Sequence, residues 1–352
     1  MKIRYFAAIF VLAALIMAMV FFASQTPEAI SQERTLTPTL NPDYRFVRSV
    51  DRDAIPAIDN PEFVPAAEAD AEYRPDELVI GVEFNGDARA YSVPLLSRHE
   101  IVNDTVGRQP IVVTWCPLCF TSIVYDREVD GRILDFGVSG LLLNNAMVMY
   151  DRQTDSLWAH ISGEALQGPL MDSQLEFLTS WFTTWEEWKT RHPDTLALFK
   201  DGVLVDNYAS YYNSDEIGVS GVVGFEDRLP NKEFVVGIAH ESEAIAYPFS
   251  TLRQEPVIND EVGDLPVVVI FLSESQTGLV YRRQVDEQML EFSFDSETGE
   301  LVDAQTGSTW DAWRGIAVDG PLKGEILRRV HSTRAFWFGW RDNNPGSQIY
   351  GQ

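Results

Sequence analysis

The sequence predicts a mainly β fold with a few short helices (α+β), built as a tandem duplication of a β-rich unit of about 120 residues. Three observations lead there. Short runs rich in β-branched and aromatic residues recur along the chain, as half-buried strands do. Asn-Gly and Asp-Gly pairs punctuate them, which is the turn chemistry of tight hairpins. A stretch at residues 79–91 also returns at 235–247, an offset of 156 residues.

At the N-terminus, Lys2 and Arg4 precede an apolar and small-residue run at 5–23. A charged start before such a run predicts an export signal, with residues 1–25 acting as signal peptide or N-terminal membrane anchor. The run approaches the length of a bilayer span, and the basic residues before it direct the bulk of the chain away from the cytoplasm. The expected location is therefore extracytoplasmic, with the membrane engaged through the N-terminal segment and disulfides stable around it. Residues 26–76, rich in Pro, Ala and acidic residues, read as a tether followed by a lead-in along the domain.

Residues 77–200 form the first repeat unit, 201–232 a connector, and 233–352 a second unit that lacks the cysteines. Residues 78–84 and 88–93 predict a hairpin closed by Asn85-Gly86, and 123–128 with 132–136 a second closed by Asp130-Gly131. One helix is expected per unit; in the first, Thr184 caps residues 185–191, with Glu186 and Glu187 in the opening turn and Pro193 beyond the end. Asn103, Asp104, Gly107 and Tyr125 align with Asn259, Asp260, Gly263 and Tyr281. After a four-residue deletion, Asp151, Trp158, Trp185 and Trp188 align with Asp303, Trp310, Trp337 and Trp340. Residues shared by both units read as scaffold, so chemistry is sought among those the second unit has lost.

Foremost is Thr114-Trp-Cys-Pro-Leu-Cys119, which holds both cysteines of the chain. Residues 111–115 and 123–125 read as strands, so the pair sits at a strand-turn-strand corner. The second unit has Phe271-Leu-Ser-Glu-Ser275 there. His99 and Glu100 face Glu255 and Pro256, and His160 faces Ala312. A disulfide closing so small a loop adds only about 2 kcal/mol in the chain-entropy model, a weak staple. The spacing suits redox exchange or a shared metal instead. A thioredoxin-like site is not expected, because the residues after Cys119 alternate like a strand where that site opens a helix. His99 is the neighbour expected to tune a thiolate. His160, His192, His240 and His331 lack ligand spacing and read as surface or capping residues.

The formal net charge of −26 argues against nucleic acid as a partner. Neither Gly-rich segment, 137–140 nor 218–224, matches a phosphate loop.

Taken together, Val79-Ile-Gly-Val, His99-Glu-Ile-Val-Asn-Asp104, Thr114-Trp-Cys-Pro-Leu-Cys119, Gly137-Val-Ser-Gly-Leu141 and Met149-Tyr-Asp-Arg-Gln-Thr154 resemble the DUF3179 family. Trp185-Glu-Glu-Trp-Lys189 and Asp227-Arg-Leu-Pro-Asn-Lys-Glu233 extend the resemblance, which covers nearly everything from Asp76 onward. It implies an exported or membrane-anchored protein without a settled activity. Some similar sequences are selenoproteins with selenocysteine in the cysteine motif, which, carried over to Cys116 or Cys119, implies reactive chalcogen chemistry. Trp115 and Phe120 depart from the family pattern, where Tyr or Phe and a small residue are usual, and alter access to Cys119.

The leading expectation is an exported redox domain in which Cys116 and Cys119 perform thiol-disulfide or peroxide chemistry with His99, acting on a thiol or disulfide partner protein. A second is a copper or zinc site of Cys116, Cys119 and His99, with Met147 or Met149 as a further soft donor. The third is a non-catalytic structural or interaction domain of the cell envelope.

Overall fold

The β-rich pattern of the sequence is realised as eight sheets, seen in a computed structural model that describes residues 44–219, 227–295 and 298–352. The predicted signal or anchor at 1–25 and the tether up to residue 43 lie outside the described residues. Among the described residues no helix is long and apolar enough to cross a membrane.

Asn85 and Gly86 close the first hairpin with φ of 51° and 81°, both left-handed as a two-residue turn of the twisted kind requires. The strands it joins, Leu78–Phe84 and Asp87–Ser92, pair antiparallel. Their sheet adds Trp181–Thr184 on one side and, in parallel, Leu196–Leu198 on the other. The same arrangement recurs downstream, where Phe234–His240 and Glu243–Pro248 take Thr333–Phe336 on one side and, in parallel, Gln348–Ile349 on the other. Three-stranded meanders follow in each region: Ile101–Val106, Gln109–Cys116 and Thr121–Asp126, then Val257–Val262, Leu265–Leu272 and Thr277–Arg282.

The residues shared between the two regions make the same contacts. Tyr91 donates to Asp104 at 2.6 Å and Tyr247 to Asp260 at 2.9 Å. Asn103 clasps the backbone of Phe136, and Asn259 that of Phe292, each through paired 2.8 Å bonds. The indoles of Trp158 and Trp310 donate to Asp151 and Asp303 at 2.9 Å. Gly81 and Gly237 both lie flat under a tryptophan, Trp188 and Trp340, where any Cβ would collide with the ring. Such close approach is what glycine permits.

Structure and expectation differ in two places, the second hairpin and the number of helices. From Tyr44 the lead-in joins the sheets: Val47–Arg48 pairs with Leu141 and Leu142, and Phe63–Pro65 pairs with Leu196–Leu198. The Asp130-Gly131 turn joins only Glu128–Val129 to Arg132–Ile133, because Thr121–Asp126 is committed to the cysteine strand. Besides Trp185–Arg191, capped by Thr184, and Trp337–Asn343, the described residues include four one-turn helices, too short to leave a periodic signal. The apolar clusters also cross between regions: Val79, Trp185 and Trp188 pack with Val268, Ile270 and Trp313.

Candidate functional site

The cysteine corner is set by hydrogen bonding and backbone handedness before any thiol chemistry. Gln109–Cys116 and Thr121–Asp126 pair up to Cys116 opposite Thr121, leaving residues 117–120 as the turn. Phe120 closes it with φ of 54°. Cys116 ends the strand and Cys119 sits in the turn; both are unbonded thiols, 1% and 0% exposed.

The third group at the corner is His160. One of its ring nitrogens and both sulfurs lie within 4.8 Å of one another. The histidine follows the strand Leu157–Ala159, and its amide bonds the carbonyl of Met147 at 3.2 Å. Its tautomer follows from the hydrogen bonds. Thr114 Oγ1 donates to the Ile123 carbonyl at 2.6 Å, which uses its only hydrogen. Lying 3.0 Å from His160 Nε2, it must accept there, so the imidazole proton is on Nε2. Nδ1 is left with a lone pair, buried and without a hydrogen-bond partner. Burial drives the pKa of His160 down to about 3, which keeps the ring neutral.

The two sulfurs are unequal. Burial pushes the Cys116 thiol up, but the neighbouring Cys119 side chain and the amides of Cys119, Met147 and Leu118 act against it and bring its pKa below the ordinary value, while the Cys119 thiol itself points to the Cys116 carbonyl at 3.9 Å. Amides converging on one sulfur favour the thiolate. Cys119 is raised well above the ordinary range, by burial first and then by its bond to Cys116 and that neighbour's charge. Glu100 is a further buried acid, lifted to about 8 by burial and by the charge of Cys116. Its backbone is left-handed, with φ of 59°, a conformation costly for a side chain of this size. The second region has Pro256 at that place, which no left-handed backbone accommodates.

Distant parts of the chain roof the corner. Tyr211, from the connector, donates to the carbonyl of Leu118 at 2.8 Å. The amide of Phe336 bonds the carbonyl of Cys119 at 3.0 Å. Gly339, in the helix Trp337–Asn343, lies so close that a Cβ there would stand 2.5 Å from that of Cys119.

His99 is elsewhere. Its Nδ1 is 2.8 Å from the Pro56 carbonyl, in a partly exposed position, and it is absent from the ligand-distance group. The ordered lead-in captures it, so the histidine that meets the cysteines is His160. Met149 is core, and Met147 meets Cys116 through its amide. The sequence did carry a signal for the change: Thr114 and His160 align with Ile270 and Ala312, so both are absent from the second region, as the cysteines are. Nothing local marks Tyr211 or Gly339.

The family model for DUF3179, described as a protein of unknown function, matches residues 52–347. The chain belongs to this family. The match takes in the cysteine corner, His160, the connector and Gly339 alike. No curated protein and no solved structure matches the chain.

Proposed function

We propose that this member of DUF3179 is an extracytoplasmic metal-binding protein in which Cys116, Cys119 and His160 hold one soft cation, copper(I) or zinc. The observation that carries it is the convergence of a His160 ring nitrogen with both sulfurs, in a ring whose Nε2 is anchored by Thr114 and whose buried Nδ1 has no hydrogen-bond partner. A buried acceptor without a donor costs about 1–3 kcal/mol, and a metal ion would remove that cost. Ligating histidines characteristically donate their second N–H to a fixed oxygen, as His160 does. Two sulfurs and an imidazole are a soft set that suits copper(I); structural zinc would ask for a fourth donor. The N-terminal charge and apolar run support delivery to the far side of the membrane, with the segment as its anchor.

A second reading, thiol-disulfide chemistry, is favoured by the unequal sulfurs. A Cys116 thiolate would attack a partner disulfide and Cys119 would resolve it, leaving a Cys116–Cys119 disulfide and two partner thiols. Burial of both sulfurs counts against a protein-sized partner.

The deciding experiment is titration of the reduced, metal-free full-length chain with copper(I) and, separately, zinc, against a chromophoric competitor. One ion per chain is expected, lost in Cys116→Ser and His160→Ala and retained in His99→Ala. A folded, reduced protein that takes up neither ion would overturn the metal reading. A cysteine-pair midpoint well above roughly −300 mV, where structural disulfides rarely lie, would then favour exchange.

A further inference from the structure

A second site lies away from the cysteine corner, in the cleft between residues 177–182 and 329–334. These segments occupy equivalent places in the two regions, each leading into an edge strand. The first contributes Phe177 and Phe182, and the second has Arg329 and Arg334 at the same places. Two hollows that share Ser180, Arg329 and Ser332 make up the cleft: one of about 210 Å³, and one of about 30 Å³ that Arg334 and Ser122 also line, where about one water at roughly 30 Å³ fits.

Both arginines are held without a counter-charge. The Arg334 guanidinium is packed among the rings of Phe120, Phe182, Phe234 and Phe249, at 4.6–5.3 Å from their centroids. Its Nε is buried with no hydrogen-bond partner, and one of its terminal nitrogens reaches only the Gln276 carbonyl, at 3.4 Å. Arg329 lies over Tyr281 and Trp181, and its Nη1 is also buried and unpartnered. Among the described residues, no ion pair joins either one to a carboxylate, in a chain with 53 acidic residues against 27 basic ones. Burial and the nearby Arg253 bring Arg334 down to about 9. Both residues are partly exposed, and it is their buried, unpaired Nη1 and Nε that are costly to leave without an acceptor. Ser122, Ser180 and Ser332 line the same space and supply hydroxyl donors.

We infer that this cleft binds a small oxyanion, held by the guanidinium groups of Arg329 and Arg334 and by the serine hydroxyls. Planar guanidinium forks and hydroxyls are the donor set that recognises phosphate, sulfate or carboxylate oxygens. The two aromatic-walled arginines fix the cations in advance, so little side-chain ordering remains to be done on binding.

The test is calorimetric titration of the full-length chain in detergent with inorganic phosphate, sulfate and acetate, in separate arms at one ionic strength. Saturable 1:1 binding with a Kd of about 1 mM or tighter is expected in at least one arm. It should weaken tenfold or more in Arg329→Met and in Arg334→Met, and stay unchanged in Arg152→Met, whose side chain already pairs with Asp59. Because Arg334 fills an aromatic box, Arg334→Lys is the companion variant: it keeps the charge, loses the fork, and should also bind more weakly. Absence of saturable binding in all three arms, or full retention in the folded Arg329 and Arg334 variants, would overturn the inference.

Discussion

The turns at 117–120 and 273–276 are one corner built twice with different contents. Both follow an eight-residue strand, both close on a left-handed residue, Phe120 at 54° and Gln276 at 52°, and both lead into a six-residue strand. In the first, Cys119 lies under Gly339, with Cys116 and His160 beside it. In the second, Leu272 and Ser275 replace the cysteines, Ser275 bonds Thr277 at 2.8 Å, and the corner opens on a groove shared with Glu187, the counterpart of Gly339. The backbone makes this corner without sulfur. The same backbone turn forms without cysteines, and the glycine, histidine and threonine around the thiols are particular to the first corner.

The largest effect is expected where that inference is tested directly. Cys119→Ser should abolish metal uptake and still give a cooperative thermal transition, since Ser275 occupies the equivalent place in a folded corner. Loss of that transition, followed by circular dichroism, would mean that the thiol is structural after all. Next comes Thr114→Val, which frees the His160 tautomer; removal of such an outer partner typically costs 10- to 100-fold in metal affinity. Competition titration reads this, and unchanged affinity would remove Thr114 from the site.

Gly339→Ala presses a methyl group onto Cys119, and overpacking of this kind costs about 1–3 kcal/mol. Its melting temperature should fall, whereas Glu187→Ala, on the open groove, should leave stability within about 0.5 kcal/mol. Equal effects would break the distinction between closed and open corners. A gain of function sharpens it further: Leu272→Cys with Ser275→Cys should give two thiols and no tight metal site until Ala312→His is added. Tight binding by the double variant alone would make His160 dispensable.

The smallest effect concerns His192, which stacks on Trp188 at 4.0 Å and faces Asn344 across the repeat. Burial holds its pKa below the ordinary value of 6.5, with Glu83 opposing and Arg314 and Arg191 assisting. The unfolded chain therefore takes up the proton first, and stability is full above about pH 6.5 and declines as pH falls below it. His192→Asn should flatten that decline by on the order of 1 kcal/mol or less, measured by urea denaturation at pH 5 and pH 7.5. An unchanged slope would assign the acid sensitivity elsewhere.

Most of the strand pattern was legible in the sequence, because alternation, Asn-Gly turns and a capping threonine act over a few residues. The cysteine corner was legible for the same reason, and comparison of the two regions marked His99, Glu100 and His160 as residues peculiar to the first, though it gave no sign of the part played by Thr114. Which histidine reaches the sulfurs was decided by tertiary packing. His99 is nearer in sequence, but the lead-in around Pro56 folds back to bind it, while His160 arrives on a strand whose pairing with Ala146–Asp151 fixes its position. Gly339 and Tyr211 come from still farther along the chain, and so do the arginines of the cleft. Their roles depend on surfaces that meet only after collapse, and no local periodicity encodes such a meeting.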